Sequence, residues 1–342
     1  MELFNRVNIG KIRLSNAELI KALLFNMNNF NSSGEKYAER RQQELALSWD
    51  RIERGLQNDS FWLFLNETDT YETRIDFLFQ LLSESYNKAL PEANRINIPQ
   101  YIVQYNKTFL IYYASYKHAE DKNAFVIDLW KKIEGLYERF QEWYADLNKY
   151  HVIGFLIASG VSIKDIFILT DGKRKSEMLS DLIKETKKKV PIDCEETLRK
   201  KSYADNKKDL RRLFLLFNIA TLYCKNEKQY RFPFDLYKKD KWDIEHIHAT
   251  ADDSDIADDS LGNLTLLSAE INRSYKDKPF HDKRNEIRNR DSRGMFIPVC
   301  TKNLFHKQYS ETIDTMDNWN DHDKESYIKA IYNTLVSFWE GV

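Results

Sequence analysis

Ten glycines and six prolines are all that punctuate this 342-residue chain, against a combined share of roughly 12% in average proteins. Sandwiches, barrels and glycine-rich nucleotide folds spend such residues at every turn. The shortage therefore excludes them and predicts a mainly α fold, with long helices joined by short polar loops. The length exceeds that of a usual single domain, so two domains or one elaborate one are expected. Charged residues make up 31% of the chain, which implies a heavily solvated surface. No apolar run approaches the roughly 18 residues of a membrane span, and the N-terminus lacks a basic-then-apolar signal pattern. Cys194, Cys224 and Cys300 are odd in number and far apart, so neither a disulfide framework nor a CxxC zinc site is suggested. A cytoplasmic protein with no membrane association is expected.

The formal net charge of -1 argues against a nucleic-acid partner only if charge is spread evenly, and it is not. Residues 173–212 carry 14 Lys or Arg against 8 Asp or Glu, clustered as Lys173-Arg174-Lys175, Lys187-Lys188-Lys189, Arg199-Lys200-Lys201 and Lys207-Lys208. Such a run reads either as a solvated helix face or as a phosphate-binding surface. Helix signals are clear elsewhere. Ser15 and Glu18 form a capping box, with Leu14 and Leu19 at the staple positions. Ser60 to Leu82 reads as helical. Val126, Leu129, Ile133, Leu136, Phe140, Trp143 and Leu147 form one apolar stripe at spacings of three and four, the mark of a core helix.

The segment that carries chemistry begins at Trp242-Asp243-Ile244-Glu245-His246-Ile247-His248. An acidic loop follows, with Asp252, Asp253, Asp255, Asp258 and Asp259; it reads as a solvated loop, or alternatively as a second metal site. Then come Leu261-Gly262-Asn263-Leu264-Thr265-Leu266-Leu267 and a stretch from Ile271-Asn272-Arg273 to Lys278-Pro279-Phe280. Alternating apolar residues predict a strand, a loop, a second strand and a helix. Phosphodiester hydrolysis needs a base with a pKa near 7, which histidine supplies. It also needs charge stabilisation, for which a hard cation on oxygen ligands is suited. Glu245, His246, Asn263 and Asn272 bring those groups into one compact unit. Ordinary structural roles stand beside these: Glu245 as partner of a nearby lysine, Asn263 as a turn residue beside Gly262, Asn272 as an exposed helix residue. Strict strand alternation sends Glu245 and His246 to opposite faces, so they share a site only if the strand twists or ends there.

Glu245-His246-Ile247, the Leu-Gly-Asn-Leu-Thr-Leu-Leu run and the Asn272…Lys278-Pro279-Phe280…Lys283 tail resemble the HNH (ββα-metal) nuclease module, in the variant of the GmrSD-type modification-dependent restriction endonucleases. The resemblance implies a small ββα-metal unit near the C-terminus that hydrolyses DNA with Mg²⁺ or Mn²⁺. His246 is then the general base, and Glu245 and Asn272 are metal ligands. Asn263 braces the loop and orients His246. Lys278 and Lys283 contact phosphate, and His248, read as lying on the same strand face as His246, contacts substrate. Zinc is disfavoured, because no cysteine lies nearby. Ala249 follows His248 where many members carry proline.

The resemblance reaches Phe296-Ile297-Pro298, Thr301-Lys302-Asn303-Leu304-Phe305 and the terminal helix with Tyr327, Ile331, Leu335 and Phe338. At the other end, Phe4-Asn5-Arg6-Val7-Asn8-Ile9-Gly10-Lys11 and the helix after it resemble the late part of the family's ParB-like N-terminal domain. The expected organisation is a ParB-like remnant at 1–90, a helical middle region at 91–230 and the nuclease domain at 231–342. The Asp-Gly-Gln-Gln-Arg string linked to nucleotide use is absent; Asp171-Gly172-Lys173 is a faint echo. The chain thus reads as a fragment, as a split-gene product whose first half is a separate polypeptide, or as a form that dispenses with the motor; a separately encoded N-terminal partner or a homo-oligomer is the expected protein partner. The expected role is DNA cleavage in restriction or phage defence. The alternatives are a non-catalytic DNA-binding or scaffolding subunit that needs its partner, and an RNase.

Overall fold

The computed structural model describes residues 14–30, 34–66, 71–99, 106–225, 230–240, 242–248, 258–268 and 278–341. Among them the chain is mainly helical with one two-stranded sheet, as the shortage of glycine and proline predicts. The helices before the sheet are α1 Asn16–Leu24, α2 Glu35–Leu56, α3 Asp59–Leu65, α4 Asp76–Ala89, α5 Lys107–His118, α6 Lys122–Ala145, α7 Leu147–Ala158, α8 Ile163–Thr170, α9 Lys175–Lys189, α10 Glu195–Arg199, α11 Lys207–Cys224 and α12 Phe234–Lys239. The strands are β1 Trp242–His246 and β2 Leu264–Ser268, followed by α13 Phe280–Ser292, α14 Val299–Phe305 and α15 Asp321–Glu340. No helix among the described residues is long and apolar enough to cross a membrane. The described residues fall into two compact units, one drawn from 1–62 and 68–142, the other from 63–67 and 143–342.

In the first unit, α1 starts as its sequence dictates. The Glu18 amide donates to Ser15 Oγ at 3.2 Å, and the Ser15 amide donates to Glu18 Oε2 at 2.7 Å. Leu19 is buried but Leu14 remains 41% exposed, so the capping box rather than the staple fixes the helix start. The helical pattern from Ser60 to Leu82 is interrupted: α3 stops at Leu65 and α4 begins at Asp76. Asp76 Oδ2 accepts from the Thr73 amide and hydroxyl at 3.3 and 2.9 Å. This local bond back to Thr73 ties the turn that leads into α4. Aromatic packing closes the unit, with Trp49 of α2 stacked on Trp130 of α6 at 5.5 Å and tilted against Phe79 of α4 at 5.6 Å.

Val126, Leu129, Ile133, Leu136, Phe140 and Trp143 are all buried along α6. Leu147 does not extend the stripe. Asp146 accepts from the Asn148 and Lys149 amides at 3.1 and 3.2 Å, which caps a new helix, and Leu147 opens α7 half-buried.

The second unit is built around α11, in which Leu213 through Leu222 are all buried. A helix apolar on every side must be covered on every side, and α7, α14, α15 and both strands pack on it. The strands pair antiparallel, with Trp242 opposite Ser268, Ile244 opposite Leu266 and His246 opposite Leu264. Trp242 packs against Phe232, Tyr237 and Phe296 with ring centroids 5.4–5.8 Å away. Leu264 to Leu267 are buried without alternation, because β2 is covered on both faces. The basic run at 173–212 is spread over α9, α10 and the start of α11. Much of its charge pairs locally, as in Lys184–Asp181, Lys188–Glu185, Arg199–Glu195 and Arg212–Asp209.

Candidate functional site

Asn263 decides where β1 ends. The Ile247 amide donates to the Asn263 carbonyl at 2.8 Å, and the His248 amide donates to Asn263 Oδ1 at 2.8 Å. The first bond carries the antiparallel register one residue past His246; the second, to a side chain, takes the backbone off the ladder at His248. Asn263 Nδ2 donates in turn to the His248 and Asp258 carbonyls at 3.3 and 2.8 Å. The side chain is buried and ties both shoulders of the acidic loop together. This is more than a turn residue beside glycine. Gly262 has its own reason: a Cβ there would lie 2.7 Å from Lys324 Cβ and 2.9 Å from its carbonyl oxygen. Trp319 Nε1 also donates to the Gly262 carbonyl at 2.9 Å.

Glu245 and His246 are both half-buried; both lie within the paired strand, opposite Thr265 and Leu264, and their side chains take separate partners. His248 lies in the bend beyond the strand rather than on a shared strand face. The strand end at His246 corrects that expectation; Asn263 places the His248 backbone.

Glu245 faces Lys283 of α13. The Lys283 ammonium, on a fully buried side chain, donates to Glu245 Oε1 at 3.3 Å and to the His246 carbonyl at 2.7 Å. The ordinary role for Glu245, pairing with a lysine, is thus realised, and Lys283 points into the protein beneath the strand end. Burial pushes the Glu245 carboxyl above its usual range; Lys283 and His246 oppose that shift, and Asp243 adds to it. Lys278 is exposed just before α13.

His246 has different neighbours. Its Nε2 lies 2.8 Å from Asp259 Oδ1, and its ring lies 4.5 Å from the Tyr203 ring at an interplanar angle of 45°. Tyr203 is tied to the same loop, since its amide donates to the Asp259 carbonyl at 2.8 Å. Ser202 bridges to Ser260, and the Leu261 amide donates to the Lys201 carbonyl at 3.1 Å. Lys207 donates to the Tyr203 hydroxyl at 2.9 Å and lies 4.4 Å from its ring centre. Tyr203, which precedes α11, has no part in the sequence reading, and Lys207, which opens α11, enters it only as a member of the basic run. The same reading groups Asp259 with the acidic loop. The only sequence signal for Asp259 was its place just ahead of Ser-Leu-Gly-Asn.

Asp258 is anchored too, with Lys324 Nζ 2.7 Å from its Oδ2. Burial works against its ionisation, but Lys324 and the Ser260 side chain and amide prevail and hold the carboxyl below its usual range. Asn272, Ala249, Asp252, Asp253 and Asp255 lie outside the described residues. Among the described residues, no three His, Cys, Asp or Glu side chains cluster so as to hold a metal. The described oxygen donor of the expected ligand set is the desolvated Glu245 carboxylate. Its chemistry suits a hard divalent cation.

Residues 193–321 match the family model described as GmrSD restriction endonucleases, C-terminal domain, which bears out the resemblance over that span. No curated protein and no solved structure matches the chain.

Proposed function

We propose, with residues 193–321 belonging to the GmrSD restriction endonuclease C-terminal family as the premise, that the protein is a metal-dependent DNA endonuclease of the HNH-like type acting in restriction or phage defence. The observation that carries this reading is Glu245 and His246 side by side at a strand end, each engaged by its own partner. Among the described residues, the order β1, β2, α13 supports a reading as a ββα unit.

In this reading His246 takes a proton from water, whose oxygen forms the new bond to phosphorus. The bond to the leaving oxygen breaks, and that oxygen is protonated from solvent. A positioned general base contributes on the order of 10²–10⁴-fold. Asn263 keeps the strand exit in place, and Lys283 holds one oxygen of Glu245. Glu245 and Asn272 would hold Mg²⁺ or Mn²⁺, which supplies charge neutralisation at the phosphate when bound. Exposed Lys278 meets the DNA backbone without reading bases, with His248 as a further substrate contact. The buried ammonium of Lys283 favours support of Glu245 over contact with phosphate.

The test is incubation of the purified full chain with plasmid, modified phage DNA and RNA in Mg²⁺ or Mn²⁺, beside His246→Ala. Metal-dependent DNA cleavage that is lost in His246→Ala supports the reading. Cleavage that survives the substitution overturns the assignment of the base. Cleavage of RNA alone moves the substrate class. Activity that appears only with a separately encoded N-terminal partner supports the scaffolding alternative.

A further inference from the structure

We infer that Asp259 and Tyr203 are positioning residues that fix the tautomer and orientation of His246, so that Nδ1 is the nitrogen that accepts the proton from water. The inference rests on the reading of His246 as the base and adds which of its atoms acts and what selects it.

The argument starts from hydrogen-bond valence. A carboxylate oxygen accepts and does not donate, so Nε2, 2.8 Å from Asp259 Oδ1, carries the imidazole hydrogen. A neutral imidazole has one N–H and one lone pair, so the lone pair is left on Nδ1. A hydrogen bond at one ring nitrogen in this way sets the chemistry of the other.

One bond alone leaves the ring free to turn about it. Tyr203 removes that freedom, because its ring sits 4.5 Å from the imidazole. The two restraints are built as one piece: Lys201, Ser202 and Tyr203 pair with Leu261, Ser260 and Asp259 through backbone contacts. Lys207 in turn fixes the Tyr203 hydroxyl. A segment far upstream in sequence thus carries a wall of the His246 site, while the loop next to the site carries the acceptor.

The test is a long-range proton–nitrogen correlation spectrum of the full chain labelled with ¹⁵N-histidine, in mildly alkaline solution without metal, with His246→Gln to assign the resonance. The wild-type spectrum is expected to show His246 protonated at Nε2 and unprotonated at Nδ1. Asp259→Ala is expected to mix the tautomers and to lower kcat on the order of 10–100-fold, with KM for DNA within about twofold. Asp259→Asn, whose amide can donate to Nε2 as well as accept, should also mix the tautomers and lose rate, whereas Asp259→Glu keeps an acceptor-only carboxylate and should recover part of both. Tyr203→Phe, which keeps the ring beside the imidazole but loses the Lys207 contact, should lose less rate than Tyr203→Leu, which removes the ring. Thermal melts of each variant separate loss of fold from loss of position. A wild-type spectrum with the hydrogen on Nδ1 overturns the inference, and it needs no cleavage to be read. Unchanged tautomer and kcat in Asp259→Ala, with His246→Ala inactive, overturn the inference and leave the base reading standing. Cleavage that survives His246→Ala overturns both.

Discussion

Lys283 reaches Glu245 from below, its ammonium shared between the carboxylate Oε1 at 3.3 Å and the His246 carbonyl at 2.7 Å. One buried cation therefore ties α13 to both residues at the end of β1.

Substituting that cation has a definite expected cost. Lys283→Met leaves the Glu245 carboxylate desolvated without its counter-charge, and breaking one partner of a buried pair costs on the order of 3 kcal/mol. Adding Glu245→Gln should restore part of this loss, since the orphaned charge is then gone. Chemical denaturation of the two single variants and the double variant, without metal, measures the coupling. Additive losses would show that the pair does not interact.

His151 sets an acid limit on the second unit. Its Nε2 accepts from the Phe232 amide at 3.1 Å, so it must stay neutral. Burial, reinforced by Arg231, pushes its pKa down from 6.5 to about 4. A depressed pKa gives stability that is complete above 6.5 and is lost as pH falls towards 4, because the unfolded chain binds the proton first. The loss over that window is about 3 kcal/mol. Unfolding free energies of wild type and His151→Gln from pH 7 to 4 should converge as acid is added. Parallel curves would show that His151 does not carry the dependence.

Gly262→Ala is expected to destabilise by about 1–3 kcal/mol. The added methyl meets Lys324 at Cβ and at the backbone carbonyl, and backbone cannot swing aside as a side-chain tip can. A melting temperature unchanged from wild type would show that α15 yields at this contact.

The buried pair Lys307–Asp323, 2.7 Å apart, is joined by the Ser310 hydroxyl at 2.5 Å and the Asn320 amide at 3.0 Å. Asp323→Ala removes one charge from a fully buried pair and should cost about 3–5 kcal/mol. Asp323→Asn, which can still accept from the lysine, should cost less. Equal losses in the two variants would place the cost in packing rather than in charge.

How far the sequence foretold this arrangement follows from the range of each interaction. The capping box at Ser15 and the stripe from Val126 to Trp143 are local patterns, and both are found. The stripe overran by one residue because Asp146 ends it through a cap that hydrophobic spacing does not register. The strand–loop–strand–helix order was also legible. What was hidden is contact between distant segments: Tyr203 beside His246, Lys283 beneath Glu245, Lys324 against Gly262. Lys283 in particular looked like a surface cation, because a lysine buried on a short polar helix has no signature of its own. Its partners, a carboxylate and a carbonyl at a strand end, belong to another part of the chain.

The close approach of Lys324 to Gly262 also bears on where the region can be cut. The family match stops at residue 321, where α15 begins. Yet Lys324 holds Asp258, and Tyr327, fully buried, meets Trp319 with ring centroids 5.9 Å apart. A polypeptide trimmed to the matched span would carry every expected site residue and lack the floor on which the Gly262–Asn263 turn rests. A piece that keeps this turn supported is thus longer than the matched segment and takes in Lys324 and Tyr327 of the last helix.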